Sequence, residues 1–151
     1  MKSIVGYVVA AVVLAAAAWI GTYLLWHIRL VGAVRTLESK AGTPAAEDAA
    51  DVVESAGCRA LPYLVGALDG AKNQIFQIYA TGVIVQSIEE VNARNPSLNP
   101  TEICQARGWK VVPEDNPVDI KTKGDAIRVY WKTYEPLHHK WWRVWSPKCS
   151  E

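Results

Sequence analysis

Charge is missing from Ile4 through Trp26, a stretch reading IVGYVVAAVVLAAAAWIGTYLLW, and that absence excludes water as the natural solvent of the segment. Cysteine is scarce. Three thiols, Cys58, Cys104 and Cys149, are an odd number, so at most one internal pair can form. The chain has no C-x-x-C, no C-x-x-C-H and no zinc-like pairing of ligands, which removes the familiar redox, haem-attachment and zinc signatures. It also lacks a nucleophile elbow and a phosphate-binding loop. Without such a set, no catalytic activity and no resident cofactor or metal are expected.

What is present begins with the apolar run itself. About 20 helical residues cross a hydrocarbon core of roughly 30 Å, and a helix satisfies its own backbone there. Trp19, Tyr23 and Trp26 cluster at its C-terminal end, where amphipathic rings prefer the headgroup zone. A cleaved signal peptide is the rival reading, with Met1-Lys2-Ser3 as a charged start and Ala16-Ala17-Ala18 as a cleavage pattern. The apolar run, however, continues for eight residues beyond Ala18, so the segment is read as a retained anchor. Gly6 and Ala10, then Ala11 and Ala15, put small residues one turn apart and would let a second membrane helix approach closely. Lys2 precedes the span while Arg29, Arg35 and Lys40 follow it, a count that leans toward a cytoplasmic C-terminal part. Cys104 with Cys149 would instead suit an oxidising compartment, with Cys58 a small buried hydrophobe, so the side of the membrane stays open.

The expected organisation is an N-terminal tail over 1–3, a transmembrane helix over 4–28 and a helical extension and linker over 29–42. A helical hairpin domain over 43–95 and a Pro-rich, Trp/Lys/Arg-rich segment over 96–151 packing on it complete the chain. About 115 residues beyond the anchor suffice for one modest core. Charge is polarised: the middle of the chain is acidic and the part from Lys121 onward is basic, which points to polar contact surfaces. Gly42-Thr43-Pro44 breaks the first helix, and Thr43 with Pro44 starts a second that runs to about Gly57. Arg59–Leu68 carries apolar residues at helical spacing, with Pro62 in its first turn. Asp69-Gly70 is a turn, and Asn73 caps a long helix to about Arg94 whose inner side holds Ile75, Ile78, Tyr79, Gly82, Val85, Gln86 and Ile88.

Within this region, Gly57-Cys58-Arg59-Ala60-Leu61-Pro62-Tyr63-Leu64, then Gly66-Ala67-Leu68-Asp69 and a second helix, resembles one HEAT-type repeat over about residues 51–90. The chain departs from that family in having Gln77 where an Arg is usual and in showing no second copy. The resemblance implies a helix-pair scaffold for protein contacts and no chemistry.

Beyond Pro96, Asn99-Pro100 starts a short helix to about Arg107, Trp109–Val112 reads as extended, and Pro113–Pro117 as a turn-rich loop. Asp125 after Gly124 caps a further helix to about Glu135, interrupted by Pro136. Trp131, Trp141, Trp142 and Trp145, interleaved with Arg128, Lys132, Lys140 and Arg143, fit a small core, an interfacial lipid segment or a partner-docking surface. No RNA-binding motif accompanies them, and nucleic acid is not an expected partner. His138 and His139 are adjacent and diverge on a helix, which argues against a shared metal. His27 stands at the membrane boundary, where an imidazole can mark the interface or ligate haem or a pigment. The sequence thus predicts a mainly α chain: one transmembrane helix and a small helical domain, acting as a non-catalytic accessory or scaffolding subunit among membrane lipid and other membrane-protein subunits. The alternative is a membrane-surface or haem- or pigment-holding protein that uses His27.

Overall fold

The computed structural model describes residues 2–94 and 106–138. Every regular element among them is helical. The order is α1 (Lys2–Lys40), α2 (Pro44–Ala56), a 3-10 turn (Gly57–Ala60), α3 (Leu61–Ala67), α4 (Gln74–Arg94) and α5 (Pro117–His138).

α1 is one unbroken helix of 39 residues with two different surroundings. Its first two thirds carry Tyr7, Val8, Val12, Leu14, Ile20, Leu24, Leu25 and Ile28 on an open surface. Its last third buries Leu30, Ala33, Val34 and Leu37, the i, i+3, i+4, i+7 stripe of a helix packed on one side. Opposite lies α2, which buries Ala46, Ala49, Val53 and Ala56 at the same periodicity, and small alanines let the two backbones come close. Only α1 is long and apolar enough to cross a membrane among the described helices, and none of its most apolar window is buried in the protein.

Between α1 and α2 the chain reverses at Gly42, whose φ of +85° favours glycine. A Cβ there would also meet Ile75 Cδ1 at 3.1 Å. Thr43 occupies the N-cap position of α2 in extended conformation, yet its hydroxyl does not cap that helix. Instead Thr43 Oγ1 donates to the Lys40 carbonyl at 2.7 Å and closes the end of α1. Arg59–Ala60, expected in a helix continuous with α3, form part of the 3-10 turn, and Pro62 sits in the first turn of α3.

Asn73 caps α4 as expected, its Oδ1 accepting from the Ile75 and Phe76 amides at 3.0 and 3.4 Å. The buried face of α4 differs from the expected one. Phe76, Ala80, Thr81, Ile84, Val85 and Ile88 point inward, whereas Ile75 is 54% exposed and Gln86 is exposed. Apolar residues are distributed all round this helix, so periodicity alone does not select a face. Trp109–Val112 is not a strand but turn and coil; no strand occurs among the described residues. Val111 is buried, and its amide donates to Thr81 Oγ1 at 3.0 Å while that hydroxyl donates to the Gln77 carbonyl at 2.8 Å. Thr81 thereby ties the segment after Ala106 to the middle of α4.

α5 is capped nine residues before the expected cap at Asp125. Asn116 Oδ1 accepts from the Val118 and Asp119 amides, and Pro117 takes the first helical position, where its missing N–H costs nothing. Gly124 is interior, and the helix continues through Pro136 to His138. Ile127 plugs the core, and Trp109 packs its ring 5.2 Å from that of Tyr130.

Candidate functional site

Among the described residues, aromatic and cationic side chains gather where the uncharged run ends. Trp19, Tyr23 and His27 are spaced four residues apart, so they rise along one face of α1. Their rings stack in sequence, with centroids 6.3 and 6.4 Å apart and interplanar angles of 17° and 18°. Tyr63, from α3, completes the column. Its hydroxyl lies 2.7 Å from His27 Nδ1, with the rings 5.4 Å apart. Burial, and secondarily the nearby Tyr23 hydroxyl, push the Tyr63 pKa up, so Tyr63 keeps its proton at neutral pH and can donate it to an unprotonated Nδ1.

Beside this column Trp26 receives two guanidinium groups. Arg29, one turn further along α1, places its Cζ 5.8 Å from the indole centroid; Arg59, from the 3-10 turn, places its own at 5.7 Å. Both distances fall within the range of a cation–π contact. Arg59 Nε is buried with no hydrogen-bond partner among the described residues, and burial pushes its pKa down. Neither Arg29 nor Arg59 forms an ion pair among the described residues, whereas Arg107 pairs with Glu89 at 2.5 Å and Arg128 with Asp69 at 2.5 Å and with Asp125.

The residues singled out in the sequence fall in several places. Gly6, Ala10, Ala11 and Ala15 are exposed, and a Cβ on Gly6 would meet no atom within 4 Å, so both small-residue pairs lie on open sides of α1 in the single chain. His27 joins the aromatic column. Trp131 is half-buried against the core. Arg128, expected as a docking cation, is a strut holding α5 to the turn after α3 through Asp69. Trp141, Trp142, Trp145, Lys140, Arg143 and His139 lie outside the described residues, as does the helix expected from Asn99 except for its end, where Ala106 and Arg107 are helical. No group of three or more His, Cys, Asp or Glu side chains able to hold a metal occurs among the described residues.

Cys58 is disulfide-bonded, which corrects its reading as a lone buried hydrophobe. Cys104 and Cys149 are the only other cysteines in the chain, and both lie outside the described residues. The Cys104–Cys149 pairing considered from the sequence therefore falls outside the described residues. Arg59 and Tyr63 had no signal in the sequence as members of a boundary cluster, because they reach Trp26 and His27 from more than thirty residues away.

A cleft of about 630 Å³ between the α3–α4 turn and α5 is lined by Lys72, Gln77, Thr81, Lys121 and Arg128, among others. Its central polar groups are already engaged: Gln77 Nε2 donates to the Ala71 carbonyl at 2.6 Å, and Thr81 and Arg128 are bonded as above. The fold therefore defines a class, an all-helical domain continuous with one helix of membrane-crossing length. No known protein family, curated protein or solved structure matches the chain.

Proposed function

We propose that this chain is a non-catalytic, single-pass membrane-anchored subunit that scaffolds protein contacts in a larger membrane assembly. The observation that carries the reading is α1: an apolar surface with no cover in the protein, continuous without a break with the stripe that packs the domain. A hinge-free connection of this kind holds the domain at a set height and orientation over the bilayer. The exposed small-residue pairs Gly6/Ala10 and Ala11/Ala15 each offer close approach to a partner helix. The pairing of α3 with α4 across the turn at Gly70 supports the HEAT-type likeness as a scaffold.

The disulfide at Cys58 favours an oxidising, non-cytoplasmic side for the domain, since such bonds do not persist among cytosolic thiols. It outweighs the lean of the flanking charges, which rests on few residues. His27 as a haem or pigment ligand is the second reading, and it is favoured only by the exposed position of its ring at the boundary. Visible absorbance in the purified protein that disappears in His27→Ala would establish it.

Gentle detergent extraction of the tagged full-length protein, followed by native sizing and mass spectrometry, tests the main reading. Stoichiometric partners that dissociate when Gly6 and Ala10 are both replaced by Leu are the expected result. A lone monomer in wild type would overturn it. Thiol mass-tagging in intact cells, with and without reductant, is expected to show two thiols that become reactive only on reduction. Three freely reactive thiols would return the domain to the cytoplasmic side.

A further inference from the structure

We infer that Trp26, Arg29 and Arg59 form a binding site for the phosphate headgroup of an anionic phospholipid. The inference rests on the reading of α1 as a membrane span. Trp26 is the last residue of the uncharged run and Arg29 is the first charge after it. Three residues of helix separate them by about 4.5 Å along the axis, which sets the Arg29 guanidinium at headgroup depth when the indole sits at the apolar boundary.

A second guanidinium is brought to the same ring by the fold. Arg59 arrives from the turn between α2 and α3, next to the disulfide-bonded Cys58, and stands as close to Trp26 as Arg29 does. Two guanidinium groups against one indole concentrate positive charge around it, which a bound anion relieves. Among the described residues none is supplied, although α2 is rich in acid: neither arginine is paired with a carboxylate there, and Arg59 Nε has no acceptor among them. An aromatic face takes one contact from each guanidinium and leaves most of its N–H donors unused. Those donors have the fork geometry that a phosphodiester accepts. In a bilayer the nearest abundant anion at this depth is lipid phosphate, and an anionic lipid brings one net negative charge to set against the two arginines.

The test uses full-length protein in detergent micelles, titrated with phosphatidylglycerol, with phosphatidylcholine, and separately with inorganic phosphate, reading thermal midpoint and lipid adducts by native mass spectrometry. Phosphatidylglycerol is expected to raise the midpoint and to survive as an adduct where phosphatidylcholine does not. The Arg29→Gln/Arg59→Gln double variant is expected to bind it about 30-fold more weakly, at about a fivefold loss per interfacial arginine. Arg35→Gln/Lys40→Gln removes the same charge about 9 and 16 Å further along the helix and is expected to lose far less. Arg29→Gln alone leaves the half-buried Arg59 in place, is expected to weaken binding about fivefold, and keeps the test decisive if the double variant does not fold. Equal retention of both lipids, equal loss in both double variants, or the same stabilisation by inorganic phosphate would overturn the inference. Alkaline carbonate extraction separates the two readings: protein released from membranes removes the anchor itself, whereas protein that stays embedded without lipid preference removes only this site.

Discussion

Thr81 shows how much a single hydroxyl can organise. Fully buried, it accepts from the Val111 amide and donates to the Gln77 carbonyl, so it joins a loop segment to α4 without leaving a polar atom unpaired. Thr81→Val keeps the shape and strands the Val111 amide, with an expected loss of about 1–3 kcal/mol in denaturant unfolding of the domain. Tyr79 is the residue to follow at alkaline pH. Burial first, then the nearby Glu54 and Asp51 carboxylates, push its pKa from 10.0 to about 12, and its hydroxyl donates to the Ala50 carbonyl at 3.4 Å. The folded state holds this proton more tightly than the unfolded chain does. The contribution is therefore complete below pH 10 and is lost as pH rises toward 12. Thermal midpoints measured across that window should fall more steeply in wild type than in Tyr79→Phe. Asp115 has the opposite sign. The Lys123 ammonium at 2.6 Å, and then the Val112 amide, hold its carboxyl below the usual 3.8. Its contribution is present above that value and declines as pH falls below it, and Asp115→Asn should flatten the acid limb of a pH–stability curve.

At the scale of elements, α1 is two helices in one, and substitutions should separate them. Leu37 is 4% exposed against α2, and Leu37→Ala is expected to cost the domain about 2–5 kcal/mol, read from its unfolding midpoint. Leu14 is 71% exposed on the membrane-length part, and Leu14→Ala should leave domain stability within about 0.5 kcal/mol. Similar losses from both would mean that the two parts of the helix are not energetically distinct. The turn that follows is constrained twice, by the positive φ of Gly42 and by Ile75 against it. Gly42→Ala should therefore destabilise the α1–α2 pairing by about 1–2 kcal/mol in the same assay.

For the whole molecule, the covalent link at Cys58 ties the 3-10 turn, and with it Arg59, to a distant part of the chain. Cross-linking a long loop lowers the entropy of the unfolded state, and reduction is expected to cost about 2–4 kcal/mol of domain stability. A thermal midpoint insensitive to reductant would show that helix packing alone holds the domain. The boundary cluster is also a property of the whole, because it exists only when α3 and the 3-10 turn lie against the point where α1 leaves its apolar run.

Local features were readable from residue order because their causes lie within a turn or two. The uncharged stretch from Ile4 to Trp26, the break at Gly42-Thr43-Pro44, Pro62 in the first turn of α3 and the Asn73 cap each depend on neighbouring residues. The start of α5 was equally local, in Asn116-Pro117, but interior Gly124 concealed it as a false break. Tertiary structure decided the rest: which face of α4 turns inward, what Thr43 caps, that Cys58 is bridged, and that Arg59 and Tyr63 meet Trp26 and His27. Caps and breaks follow from backbone hydrogen bonding and allowed dihedrals, which act over a few residues. Faces and side-chain partners follow from how separate helices pack, and an evenly apolar helix such as α4 carries no periodic signal that fixes them in advance.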